Sequence, residues 1–135
     1  MITGGRANTN FGNHSFIGGG CFNTSLSPCG SVVSGALNKV YGKTSVILGG
    51  ARNIVEDECS GIFSGQRNWV SCNYSLIGGG SENTVVGSNS NIVNGCSNYV
   101  SVCYSSIVNG LDNNVYAEAS SIVGGYRNCI GGYGS

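Results

Sequence analysis

The chain has 135 residues, no net charge at pH 7 and 9% charged residues, where soluble domains usually carry about a quarter. It lacks the basic surface that binds nucleic acid or anionic membranes. No apolar run approaches the roughly 20 residues of a membrane helix, and no signal peptide opens the sequence. We therefore expect no nucleic-acid partner, no membrane insertion, and synthesis without a signal peptide.

Glycine occupies every fifteenth residue, nine times in succession: Gly5, Gly20, Gly35, Gly50, Gly65, Gly80, Gly95, Gly110 and Gly125. Asparagine follows three residues later each time: Asn8, Asn23, Asn38, Asn53, Asn68, Asn83, Asn98, Asn113 and Asn128. A strict period of this length is typical of stacked repeats, in which each unit contacts mainly its neighbours. We predict one elongated domain, residues 1–135, of nine 15-residue repeats.

The first predicted strand of each repeat surrounds a β-branched residue three positions before the glycine, such as Ile47 before Gly50. β-Branched residues favour strands. In the same repeat Ser45 precedes the isoleucine by two positions, and the small residue Gly49 follows it by two. Because alternate strand residues point to one side, we expect all three positions to face the interior.

The outward positions of this strand form an apolar stripe, in which most repeats pair one bulky apolar residue with a small one. Its bulky members are Phe16, Val33, Val46, Leu48, Phe63, Leu76, Val93, Val108 and Val123. A monomer rarely exposes such a continuous stripe, so we predict an interface here. The expected assembly is a homo-oligomer of parallel rods, and the number of chains that we expect is three.

The repeated glycine and asparagine lie at the corner that follows, and we assign them a scaffold role. A glycine at every corner indicates positive φ or close backbone approach. The asparagine amides are expected to form hydrogen bonds along their column or to the corner backbone.

A second apolar column, five residues after the glycine, runs from Val40 to Ile130, whereas the first two repeats have Asn10 and Ser25 at this position. It predicts a second strand and a thin interior of one isoleucine and one valine per repeat. The outer face of this strand varies between repeats and carries four aromatic residues, Tyr41, Trp69, Tyr99 and Tyr116. Such variation suits a receptor face, and it is equally what an unconstrained surface shows.

These features predict an all-β fold, a parallel β-solenoid (β-roll) of about nine 15-residue coils. The pattern S-x-I-x-G-G-x-x-N-x-V, present in residues 45–55, resembles the head repeats of trimeric autotransporter adhesins. It resembles more closely the related repeats in tail fibres and spikes of phages and large DNA viruses. The resemblance covers the whole chain and implies a left-handed β-roll, three chains side by side, that binds a host-surface glycan or protein receptor.

The chain departs from the adhesin pattern in its repeat length and its many cysteines, and its sequence contains neither a coiled-coil stalk nor a membrane anchor. The absence of a stalk and an anchor favours a virion surface fibre or an excised fragment of a longer protein, with the bacterial cell surface as the alternative location. The seven cysteines are Cys21, Cys29, Cys59, Cys72, Cys96, Cys103 and Cys129. Their odd number and irregular spacing predict mostly free thiols.

We identify no catalytic residues, metal site or cofactor in the sequence. His14, the single histidine, is expected to be an ordinary corner residue, and the acidic run 56–58 a solvated one. An ice-binding solenoid is one alternative function, although Thr9, Thr24, Thr44 and Thr84 are scattered. A polysaccharide-acting solenoid is another, but its paired carboxylates are not evident.

Overall fold

A computed structural model describes residues 1–131, which form an all-β parallel β-solenoid of about eight coils of 15 residues, without a helix. The predicted fold class is confirmed; residues 132–135 of the predicted single domain lie outside the described part. Coil 1 comprises residues 1–15, and each later coil the next 15. The strands, β1 to β17 in chain order, are Thr9–Asn10, Phe16–Ile17, Thr24–Ser25, Ser31–Val32, Lys39–Val40, Val46–Ile47, Ile54–Val55, Gly61–Ile62, Trp69–Val70, Leu76–Ile77, Thr84–Val85, Asn91–Ile92, Tyr99–Val100, Ser106–Ile107, Asn114–Val115, Ser121–Ile122 and Cys129–Ile130.

The strands form two parallel sheets with the same register throughout. The odd-numbered strands make a nine-stranded sheet and the even-numbered strands an eight-stranded one, each in sequence order. Ile47 pairs with Ile62 and Val40 with Val55, so each residue lies beside the residue one repeat away. We call the two sheets the isoleucine sheet (even strands) and the valine sheet (odd strands).

The core lies between the sheets and consists of the two apolar columns that the repeat predicts. Its members are Ile17, Val32, Val40, Ile47, Val55, Ile62, Val70, Cys72, Ile77, Val85, Ile92, Val100, Ile107, Val115 and Ile122. The serine and asparagine columns are also largely buried beside it. Each coil thus buries little apolar surface of its own, and the core becomes continuous only through stacking.

The prediction that the small residue before each glycine faces the interior was largely wrong. Ser34, Ser64, Asn94 and Asn109 are exposed, and Gly79 is a buried exception. Each strand of the isoleucine sheet is only two residues long, and the chain bends at this position. The alternation of strand side chains therefore stops before the residue is reached.

The corner glycines have the positive φ that their position indicates. Gly50 has φ +93°, and a Cβ there would collide with the carbonyl oxygen of Gly65 in the next coil and lie 2.7 Å from Asn53 Nδ2. A side chain would therefore be opposed by both the backbone conformation and the spacing of the coils.

In each of coils 1–8, two further positions are left-handed without being glycine. In coil 4 they are Arg52, with φ 58°, and Cys59, with φ 54°. Their amides donate to the preceding coil, to Ala36 O at 2.9 Å and to Lys43 O at 3.0 Å. Because this conformation costs an L-residue about 1–2 kcal/mol, the stacking between coils sustains a strain that recurs along the solenoid.

Candidate functional site

The asparagine column fixes the corner that joins the two sheets. Asn53 Nδ2 donates to Gly49 O at 3.2 Å within its own coil and to Gly65 O at 3.0 Å in the next. Asn53 Oδ1 accepts from the backbone amide of Asn68 at 3.0 Å. A buried amide with several partners is costly to replace, so this column sets the position of both outer faces.

The apolar stripe lies on the outer face of the isoleucine sheet. Six members are exposed in the chain: Val33, Leu48, Phe63, Val93, Val108 and Val123. Phe16, Val46 and Leu76 are half-buried on the same face. The stripe is continuous along the sheet because parallel pairing stacks equivalent positions.

The isoleucine-sheet side of every coil is also free of charge. From the serine column to the corner glycine (residues 45–50 in one example), no repeat contains a charged residue. The six basic and six acidic residues of the chain all lie at other positions of the repeat. Apolar content without charge characterises the centre of protein interfaces rather than ordinary surface.

The candidate receptor face lies on the valine sheet, and its aromatic residues are only partly brought together. The ring centroids of Tyr99 and Tyr116 lie 5.9 Å apart, with the ring planes inclined at 51°. Tyr41 and Trp69 are exposed, but they belong to coils 3 and 5 and leave coil 4 between them. The face therefore presents separated aromatic surfaces along the rod, with one pair toward the C-terminal end.

Charged residues cluster at the corner between the two faces. Arg67 Nη1 lies 3.1 Å from Glu82 Oε1, and Arg127 Nε lies 3.2 Å from Asp112 Oδ2. Each pair joins the corners of two neighbouring coils through solvent-exposed side chains, and such pairs contribute little to stability. They give the edge of the receptor face a polar character that the stripe lacks.

All seven cysteines are free thiols in the structure. Cys72 is buried, and its thiol donates to Gly87 O at 2.8 Å. Burial raises the pKa of this thiol, a hydrogen bond to Ser75 opposes the shift, and the charges of Asp57 and Cys103 add to it. Ser27, at the equivalent position of coil 2, donates to Gly42 O at 2.7 Å, so Cys72 occupies the place of a structural donor.

The other residues considered for chemistry lie apart. His14 is exposed at a corner with φ 55°. Within residues 1–131, no group of three or more His, Cys, Asp or Glu side chains could hold a metal ion. Thr9 and Thr24 are paired in register, but Lys39 and Ile54 continue their column. The described part of the chain contains no helix long and apolar enough to cross a membrane.

A groove on the isoleucine sheet is the feature that the sequence analysis missed. It has a volume of about 370 Å³ and opens where Gly61 interrupts the stripe, beside Phe63 and Tyr74. The signal in the sequence was the glycine at an outward strand position, where neighbouring repeats have Val46 and Leu76. The corner residue Tyr74 also lines the groove. The repeat pattern alone does not predict that its side chain lies beside the strand.

No protein-family model matches the chain, and no curated protein matches it. What is established is the fold: a parallel β-solenoid with coils of 15 residues.

Proposed function

We propose that this chain is a structural and adhesive fibre module: a rigid, trimeric β-solenoid that presents side chains to a host receptor or glycan. Its place is the surface of a virion or, alternatively, of a bacterial cell. The left-handed winding implied by the resemblance belongs to the same proposal. Rigidity is expected because the coils are joined by continuous parallel ladders and a buried amide column.

The observation that carries the trimer is the uncharged apolar stripe on the isoleucine sheet. A single chain exposes Phe63 to 46% and Val108 to 41%, with similar neighbours on the same face. Burial of apolar surface contributes roughly 25 cal/mol per Å², so contact with sister chains would stabilise a rod whose own core is thin.

The observation that supports adhesion is the aromatic content of the opposite face. Trp69 is 39% exposed and Tyr116 is 50% exposed on the valine sheet, which points away from the stripe. Aromatic side chains supply large, rigid contact surfaces for sugars and for protein partners. With the stripes packed together, the valine sheets would face outward.

Light scattering coupled to size-exclusion chromatography tests the assembly, and a glycan array followed by host-cell binding tests adhesion. We expect the mass of three chains at micromolar concentration. We expect Trp69→Ala to weaken binding at least tenfold while leaving this mass unchanged. A stable monomer would overturn the trimer, and a trimer that binds neither glycans nor cells would overturn the adhesive role.

A further inference from the structure

The groove on the isoleucine sheet is matched by a projecting side chain in the same coil. Its floor is Gly61, and its walls include Val46, Leu76 and Tyr74. Phe63, at the other outward position of the strand region, is 46% exposed. Coil 5 therefore carries a gap on one side of the stripe and a large apolar side chain on the other.

The same pairing of one large and one small residue occurs in the opposite order in two other coils. Phe16 is accompanied by Gly18 in coil 2, and Leu76 by Gly78 in coil 6. In these coils the bulky residue precedes the glycine, whereas in coil 5 the glycine precedes the bulky residue. The order of large and small side chains thus distinguishes one height along the rod from another.

Rotational symmetry would bring each gap opposite the matching side chain. When copies are related by an axis parallel to the rods, equal coils lie at equal height. In such an arrangement the Phe63 edge of the isoleucine sheet in one copy meets the Gly61 edge of the same sheet in the next copy. Phe63 of the first copy then approaches Gly61 of the second. An antiparallel arrangement would place different coils opposite one another, and this match would be lost.

The size of the stripe also favours full overlap. About eight coils at about 4.8 Å per strand give a face about 38 Å long, and a width of about 10 Å gives a flat area of about 400 Å². Stable interfaces bury about 800 Å² per partner. Even with side chains that project from the face, a staggered arrangement would forfeit area that this narrow surface needs.

We propose that copies of this chain pack in parallel and in register, with Phe63 of one copy filling the gap over Gly61 of the next. This inference rests on the homo-oligomer of the proposed function and specifies its register. The absence of charge along the whole side containing the stripe permits such contact at every coil.

Exchanging the two side chains tests the inference. Gly61→Leu fills the gap and is expected to raise the dissociation constant of the assembly at least tenfold. Gly61→Leu combined with Phe63→Gly reproduces the order of Leu76 and Gly78, and is expected to restore the constant to within about threefold of the original. Ser71→Leu, in the same coil but on the valine sheet, is the control that should leave assembly unchanged.

The variant chain is expected to fold. A Cβ at Gly61 would lie 3.3 Å from Val46 Cγ1, 3.4 Å from Leu76 Cδ1 and 3.4 Å from the backbone oxygen of Val46, so small shifts of the two side chains are needed to admit it. Circular dichroism and thermal unfolding check this point. If the exchanged chain unfolds, the register is read instead from Phe63→p-benzoylphenylalanine, whose photocrosslinks should attach to residues 44–46, 59–61 or 74–76 of a sister chain.

The outcomes separate this inference from the proposed function. A monomer at micromolar concentration overturns the trimer, and the register with it. A trimer in which Gly61→Leu has no effect, or in which position 63 crosslinks to coils 1–2 or 8–9 or to no sister chain, overturns the register alone.

Discussion

The two outer faces of the solenoid differ in chemistry although identical columns support them. On the isoleucine sheet, no coil contributes a charged residue, and most coils contribute one bulky apolar side chain. On the valine sheet, one outward column changes from Lys39 to Ile54, Trp69, Thr84 and Tyr99 within five coils. Both faces lie over fully buried β-branched residues with the same register.

This difference distinguishes the residues that folding requires from the residues that serve contacts with other molecules. Folding of one chain requires the buried columns and the corner, which are shared, and it requires neither the apolar stripe nor the aromatic residues. The isoleucine sheet alone is restricted to uncharged residues, with a bulky apolar side chain in most coils. Since folding does not require this restriction, we attribute it to a contact made by that face. On this basis we propose that the uniform side is the assembly surface and that the variable side is open to recognition.

The largest expected effect comes from removing the support that both faces share. Asn83 Nδ2 donates to Gly79 O at 3.1 Å and Gly95 O at 2.9 Å, and Asn83 Oδ1 accepts from Asn98 N at 3.0 Å. Asn83→Ala would leave buried groups without these partners, and we expect it to lower the free energy of unfolding by about 3 kcal/mol. Urea denaturation at a fixed chain concentration measures the change.

Asn128→Ala is the matched control, because Asn128 is exposed and its amide donates to Gly124 O at 3.1 Å. Its loss should cost about 1 kcal/mol or less. Equal losses for the two variants would contradict the view that the buried amide column sets the positions of both faces.

The next effect compares the faces directly within coil 8. Val108 and Tyr116 are both exposed, one on the isoleucine sheet and the other on the valine sheet. Val108→Asp would place a carboxylate from each chain in a desolvated interface, so we expect the dissociation constant to rise about 100-fold, or about 2.7 kcal/mol. Tyr116→Asp should leave the mass measured by light scattering unchanged.

Similar behaviour of the two variants would remove the distinction between the faces. If Tyr116→Asp alone dissociates the assembly, the valine sheet is the interface and the assignments are reversed. Circular dichroism of both variants checks that the solenoid itself is retained.

The sequence predicts the parts of this fold that depend on residue type. Isoleucine and valine columns identify the strands because burial selects them, and glycine identifies the corner because a Cβ at Gly50 has no room. The left-handed conformation of Arg52 and Cys59 leaves no such signal. It is imposed by the path of the chain and the stacking of coils, so many side chains are accepted there.

The candidate site was predictable to a similar degree. Periodicity places the stripe and the aromatic residues on opposite faces, because each depends on strand alternation alone. The approach of Tyr99 to Tyr116 is a diagonal contact between adjacent coils, and the groove over Gly61 needs Tyr74 at its rim. Both depend on distances across coils that a repeat pattern does not provide.

The smallest expected effect concerns the thiols, none of which lies between the serine column and the corner glycine of a repeat, although Cys59 lines the groove beside Gly61. Assembly through that sheet should therefore leave Cys72 governed by burial within its own chain. Burial raises the pKa of Cys72 above its ordinary value of 9.0, and the thiolate is the reactive form. At pH 8 we expect iodoacetamide to modify Cys72 at least 100 times more slowly than the exposed Cys29, as measured by peptide mass spectrometry.

The same pKa shift gives a pH dependence with a defined sign. The folded chain keeps the Cys72 proton to higher pH than the unfolded chain, so this stabilisation is complete below the unfolded pKa and is lost as pH rises through the folded pKa. In Cys72→Ser a hydroxyl replaces the thiol, as at Ser27, and does not ionise in this range. The variant should therefore lose less stability than the original chain between pH 8 and pH 10. If the two chains lose stability in parallel as pH rises, ionisation of Cys72 is not linked to unfolding. In the iodoacetamide experiment, rapid modification of Cys72 would show that the folded chain opens beside this residue.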